Sequence, residues 1–117
     1  EEDSTKVNAN LTSEKLIFLN QTGEIDCSQG SNFYKTINVD TEITITNVTQ
    51  LKDRVQKIKL YIEHNNGTII WPDSVYWPNN SLPAFNTLSV HTVELTSYNN
   101  GFFWLAENKQ SYPLNIT

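Results

Sequence analysis

The stretch Thr68-Ile69-Ile70-Trp71-Pro72-Asp73-Ser74-Val75-Tyr76-Trp77-Pro78 holds two of the three tryptophans of the chain, each directly before a proline. Proline fixes its own φ, donates no N–H and pushes the preceding residue towards an extended conformation. Two such steps predict two short extended pieces, Thr68–Trp71 and Ser74–Trp77. They turn at Pro72-Asp73, where the ring presets φ and the carboxylate accepts a local N–H. Side chains alternate along an extended chain, so Val75 and Trp77 share one face and Tyr76 takes the other. Two readings of these aromatics stand side by side. They fill the core at a strand corner, or they form a platform for a sugar ring, because Trp and Tyr join a flat apolar face to a polar edge.

Upstream, Gln56–His64 alternates strongly: Ile58, Leu60 and Ile62 face one way, and Lys57, Lys59, Tyr61 and Glu63 the other. This is the pattern of a half-buried antiparallel strand. Asn65-Asn66-Gly67 follows, and Asn-Gly is the strongest short hairpin signal. Thr68–Trp71 is therefore expected to return against Lys59–His64. Phe33–Val39 and Glu42–Thr46 alternate as well, with Ile43 and Ile45 inward, and the Asp40-Thr41 turn predicts a hairpin between them. Lys15–Leu19 and, more weakly, Glu24–Cys27 are further strand candidates. Asn47–Val55 reads as a long loop with at most one helical turn.

Downstream, Asn79–Pro83 is loop. Ser89–Tyr98 is a long strand with Val93 and Leu95 alternating, and Asn99-Asn100-Gly101 turns it back into Phe102–Ala106, where Trp104 faces opposite to Phe103 and Leu105. Tyr112–Thr117 closes the sheet or leaves it. About eight short strands separated by turn signals, with little helix, predict an all-β fold: an antiparallel β-sandwich. Residues 1–14 read as a linker or edge segment, and residues 15–117 as a single domain.

Composition narrows the function classes. The chain has 117 residues, 38% hydrophobic, 18% charged, with a net charge of −5 and only eight Lys and Arg. That gives no electrostatic footprint for nucleic acid. No apolar run or basic amphipathic stretch predicts membrane insertion. Cys27 is the lone cysteine, so no disulfide forms within the chain. Asp26 and Ser28 do not activate it, and a buried structural thiol is expected. No methionine occurs, even at the start. The chain is therefore expected to be processed or cut from a longer protein. Asn is frequent, at 15 residues, and six Asn-X-Ser/Thr sequons begin at Asn10, Asn20, Asn47, Asn66, Asn79 and Asn115. In a secreted eukaryotic protein they are glycan acceptors; a chain rich in Asn and Thr also generates them by chance.

Chemistry finds little purchase. His64 and His91 are the two histidines, with no local nucleophile and acid to complete a triad, and both are expected at the surface. Acids are scattered, apart from Glu1-Glu2-Asp3, so no metal site is predicted. Four glycines make no phosphate loop. The chain is read as a non-enzyme without a cofactor.

The order of motifs is more specific than any one of them. Gly23-Glu24-Ile25-Asp26 is followed by Asn32-Phe33, a Thr/Ile run to Asn47, then Lys59-Leu60-Tyr61-Ile62 and Asn66-Gly67. Ile70-Trp71-Pro72, Val75-Tyr76-Trp77, Leu82-Pro83, Val93-Glu94-Leu95, Tyr98 to Gly101 and Trp104 complete it. This series resembles a β-sandwich module of tailed-bacteriophage tail fibres, baseplates and other virion appendages, over roughly residues 23–106. It departs from that pattern at Asn79-Asn80-Ser81, where the family often carries Gly-Gly, and at Ala106-Glu107, where it often carries Gly. The resemblance implies a non-enzymatic structural protein of a virion, assembled with other virion proteins as an oligomer, often a trimer, and able to contact the host surface. A carbohydrate-binding module and a capsid decoration protein are the alternatives. The candidate aromatics for a cell-surface glycan or partner are Trp71, Tyr76, Trp77, Tyr98 and Trp104.

Overall fold

Ile58, Leu60 and Ile62 are completely buried while Lys57 and Lys59, which alternate with them, are exposed, so the strongest alternation in the sequence forms the central strand. This strand, β5 (Gln56–His64), belongs to a structure that describes residues 13–114 and is a computed structural model. The other strands are β1 (Ile17–Phe18), β2 (Gly23–Asp26), β3 (Asn32–Ile37), β4 (Thr41–Thr46), β6 (Ile69–Ile70), β7 (Val75–Tyr76), β8 (Ser89–Ser97) and β9 (Trp104–Pro113). A single 3-10 turn at Pro78–Asn80 is the only helical element among the described residues. Most of the expected linker, its acidic start, the sequons at Asn10 and Asn115 and the last residues of the closing segment lie outside them.

The nine strands form two sheets, one of six strands in the order β1-β3-β5-β8-β9-β7 and one of three in the order β2-β4-β6. Both contribute to one core: Ile25, Ile43 and Ile69 from the small sheet join Phe33, Ile37, Leu60, Leu95 and Trp104 from the large one. The mostly-β expectation holds, but the antiparallel pattern does not. β1–β3, β3–β5, β2–β4, β4–β6 and β7–β9 are parallel, and only β5–β8 and β8–β9 are antiparallel. From β1 to β6 the chain alternates between the sheets, and each strand lies parallel to the one two before it. The first six strands are thus three stacked coils, each made of one strand from either sheet.

Two expected hairpins are corrected by this arrangement. β3 and β4 do not pair; β3 pairs with β1 and β5, and β4 with β2 and β6. Nor does β6 return against β5; it extends β4, with Thr41 opposite Ile69. The physical reason lies at the corners. The corner after β3 carries the corner after β5 on top of it. Asn65 and Asn66 donate backbone N–H groups to the Ile37 carbonyl at 2.8 and 3.1 Å, and the Asn65 side chain donates to Asn38 Oδ1 at 2.8 Å. Thr68 N–H donates to Asp40 Oδ1 at 2.9 Å, and Thr41 N–H to the Thr68 carbonyl at 2.9 Å. Gly67 makes this stack possible: its φ is +91°, and a Cβ there would run into the Val39–Asp40 backbone.

The second Asn-Gly turn behaves as expected. Asn100 and Gly101 have φ of 60° and 82°, both positive, as a type I′ hairpin turn requires. β8 and β9 pair antiparallel on either side of it. β9 then runs on through the polar residues Glu107–Ser111 to Pro113, longer than the alternation suggested. Asn47–Val55 is loop, in agreement with its reading.

Candidate functional site

The five candidate aromatics fall into three places. Trp104 is 1% exposed and sits in the core, so its ring offers no face to a ligand. Its inward direction follows the expected parity, with Leu105 beside it 46% exposed. Trp71 and Trp77 are half-buried against the core. Their centroids lie 5.2 Å apart at 76°, and Phe85 completes a triangle with them at 5.6 and 5.5 Å. Trp71 Nε1 is buried without a hydrogen-bond partner.

Tyr76 and Tyr98 are exposed, at 56% and 60%. The alternation along β7 turns Val75 towards the core and Tyr76 outward, as expected. Both tyrosines lean on the same ring: Phe103 lies 5.5 Å from each. Phe102, beside it at the tip of the β8–β9 hairpin, is 83% exposed. Leu105, the register partner of Tyr76, adds to the same surface. Ser97 braces the hairpin beneath: its Oγ donates to Asn99 Oδ1 at 2.9 Å and accepts from Gly101 N–H at 2.8 Å. The result is an exposed patch of Tyr76, Tyr98, Phe102 and Leu105 around the half-buried Phe103, on an edge of the large sheet.

The histidines are not at the surface. His64 is 1% exposed and His91 fully buried. The expectation is corrected by parity: His64 follows Ile58, Leu60 and Ile62 on the inward face of β5, and His91 precedes Val93 and Leu95 on that of β8. His64 Nε2 lies 2.7 Å from the Gly67 carbonyl, which can only accept, so this nitrogen carries a proton. His91 Nε2 faces the Asn86 carbonyl at 3.1 Å and by the same logic donates. It also lies 3.1 Å from His64 Nδ1, which accepts. His91 Nδ1 is then free to accept from Ser111 Oγ at 2.8 Å. Each imidazole is satisfied with one proton. Burial, and secondarily the neighbouring His64, hold His91 below the usual histidine range, partly opposed by the Asn86 carbonyl. A chain Ser111–His91–His64 has the connectivity of nucleophile, base and orienter, but a base buried and depressed in this way takes a proton poorly.

Cys27 is half-buried rather than buried, and packs against the core. Desolvation, with the Asp26 charge as a second cause, pushes its thiol up to about 11. Asp26 itself is held below the usual carboxylate range by hydrogen bonds from the Ser28 hydroxyl, Asn47 and the Ser28 N–H. Among the described residues, no group of three or more His, Cys, Asp and Glu side chains is placed to hold a metal. No helix among them is long and apolar enough to cross a membrane. The sequons at Asn20, Asn47, Asn66 and Asn79 all lie on exposed loop or turn positions.

Sequence reasoning missed Phe85, Phe102 and Phe103, and misplaced the histidines. Phe102 had a readable signal: an aromatic directly after an Asn-Gly turn is too close to the hairpin tip to reach the core. Comparisons with protein-family models, with curated proteins and with solved structures found no match.

Proposed function

We propose that this chain is a non-enzymatic assembly module of a phage virion, of the tail-fibre or baseplate kind, and that the patch around Phe103 joins it to further copies of itself. The observation that carries this reading is the 83% exposure of Phe102 beside Tyr98 and Tyr76. Contiguous exposed apolar surface of this kind marks interaction sites, and aromatic residues are enriched in interface cores. The patch is held on a braced hairpin rather than on a loose loop, so it is presented in one shape. The order of motifs from Gly23 to Trp104 supports the virion assignment by resemblance. In that setting the module works outside the cell as part of the particle, as a homo-oligomer, with a trimer the expected form, bound to other virion proteins.

The test is molar mass in solution by light scattering on a size-exclusion column. A species of three times the 13.4 kDa chain that dissociates in Phe102→Ser supports the proposal. A monomer at all concentrations, unchanged by the substitution, counts against self-assembly through this patch.

A second reading has its own observation. Tyr76 and Tyr98 pair exposed rings with phenolic hydroxyls, and Asn99 and Asn100 adjoin the patch in the turn. Stacking rings beside amide groups suit a cell-surface glycan. A glycan array probed with wild type and Tyr98→Ala separates it from the assembly reading. The capsid-decoration alternative shares the patch, with a capsid subunit in place of the second copy.

A further inference from the structure

Residues 81–88 connect the 3-10 turn to β8 without strand or helix, and most of them are exposed. Two contacts hold the middle of this segment down. The Phe85 ring sits against Trp71 and Trp77 and meets the His91 ring edge-on, centroids 5.0 Å apart at 80°. The Asn86 carbonyl accepts from His91 Nε2, the single protein hydrogen bond made by residues 82–86 among the described residues. A buried histidine therefore anchors a segment that covers two tryptophans.

We propose that residues 81–88 form a strap latched by the His64–His91 pair, and that mild acid releases the strap and uncovers Trp71 and Trp77. The latch is complete only with one proton on each ring. A second proton on His64 sets two N–H groups against each other across 3.1 Å. A second proton on His91 goes to Nδ1, turns its bond with Ser111 around, and places a charge in a buried site.

Among the described residues no carboxylate contacts the pair, and the charged side chain on the inward face of the neighbouring β3, Lys35, is a cation bonded to the Leu19 carbonyl. His91 meets His64 from β5, Phe85 and the Asn86 carbonyl from the strap, and Ser111 from β9. His64 meets the Gly67 carbonyl from the corner. The small sheet gives the core Ile25, Ile43 and Ile69. Glu63 on β5 and Glu94 on β8 stand on the opposite parity from the histidines and so belong to the outer face. A buried charge without a partner is costly and is relieved by reaching water. The middle of the strap is the weakest cover, because the strands around it are tied by full ladders and residues 82–86 are tied by one bond and one ring, while the ends stay fixed by Ser81 N–H on the Pro78 carbonyl and Leu88 N–H on the His64 carbonyl. Lifting it also hydrates Trp71 Nε1, which is buried and unpartnered when the strap is down. Burial already sets His91 against protonation, so release falls below the ordinary histidine range.

The experiment is acrylamide quenching of tryptophan fluorescence on the full chain between pH 7.5 and 5.0, with far-UV circular dichroism recorded on the same samples. The expected result is a rise in quenching as the two half-buried tryptophans, Trp71 and Trp77, become fully accessible, with the sheet signal unchanged. His91→Gln, which can still donate to Asn86, is expected to stay protected at both pH values. Should that variant not fold, Phe85→Ala decides: high quenching at pH 7.5 that does not change on acidification supports the strap. Quenching that stays flat in the wild type overturns the proposal. So does a rise that persists in His91→Gln, a rise that coincides with loss of the sheet signal, or a Phe85→Ala variant protected as well as the wild type at pH 7.5.

Discussion

His64 Nδ1 and His91 Nε2 face each other at 3.1 Å inside the core, and the two carbonyls that flank the pair leave one proton for each ring. This sets the sign of a stability effect. The folded-state affinity of His91 for a proton is lowered, mainly by burial, so over the range just below the ordinary histidine value the unfolded chain binds more protons than the folded one. Stability therefore rises with pH through that window and is lost as pH falls through it. The midpoint of urea unfolding is expected to be lower at pH 5.5 than at pH 7.5. His91→Gln should remove most of the difference while lowering stability at both values. An equal pH difference in the variant would place its origin elsewhere, for instance in Asp26, whose contribution is lost only at more acid pH.

The three tryptophans should separate by the cost of truncation. Trp104 is fully buried between the sheets, and Trp104→Ala is expected to cost ~3–5 kcal/mol, the usual range for removing a large buried aromatic. Trp77 is half-buried and can be partly covered by Phe85 as it relaxes. Trp77→Ala is expected to cost about half as much. Chemical denaturation of the two variants checks the order; equal losses would mean that the Trp71–Trp77–Phe85 triangle is as much a part of the core as Trp104.

Facing was legible in this sequence and pairing was not. Alternation put Ile58, Leu60, Ile62, Val93 and Leu95 inward, and they are. It separated Tyr76 from Val75 and Trp77 correctly. The same rule, applied to His64 and His91, places them in the core, against the general preference of histidine for partly exposed positions. Alternation says which way a side chain points but is silent on which strand lies alongside. β3 and β4 each look like half of a hairpin, yet their partners come from the coils on either side, β1 and β5 for β3 and β2 and β6 for β4. The two Asn-Gly turns show the limit of local signals. Asn100-Gly101 has both residues at positive φ and makes a hairpin, whereas at Asn66-Gly67 only the glycine does, and the chain crosses to the other sheet. The exposed aromatic patch was half visible, through Tyr76 and Tyr98; Phe103, which joins them, carried no signal beyond its apolarity.

Gly67 lies where two coils touch, and any side chain there meets the Val39–Asp40 backbone at a positive φ. Gly67→Ala is expected to destabilise by more than the roughly 1 kcal/mol that a strained φ alone costs a non-glycine residue, because backbone has to move as well. Gly67→Val should prevent folding or shift the unfolding midpoint further. Gly101 offers a contrast: its Cβ would meet the Val48 side chain rather than backbone, and side chains yield more easily. Gly101→Ala is expected to be the milder change of the two. Equal losses would mean that positive φ dominates at both sites and that the stacked corners carry no special constraint.

Cys27 should be a slow thiol. Its affinity for a proton is raised to about 11, first by burial and second by the Asp26 carboxylate beside it. The thiolate is the reactive form, so alkylation by iodoacetamide at pH 7.5 is expected to run roughly a hundredfold slower in the folded chain than in denaturant. The order of causes makes a sharper statement. Asp26→Asn removes the charge but not the burial, so it should recover only a small part of that rate. It also weakens the bonds to Ser28 and Asn47 that hold the turn, and hydrogen exchange at Ser28 N–H reports that loosening separately. Full recovery of the alkylation rate in Asp26→Asn, with the turn still protected, would make the carboxylate the main cause and burial the minor one.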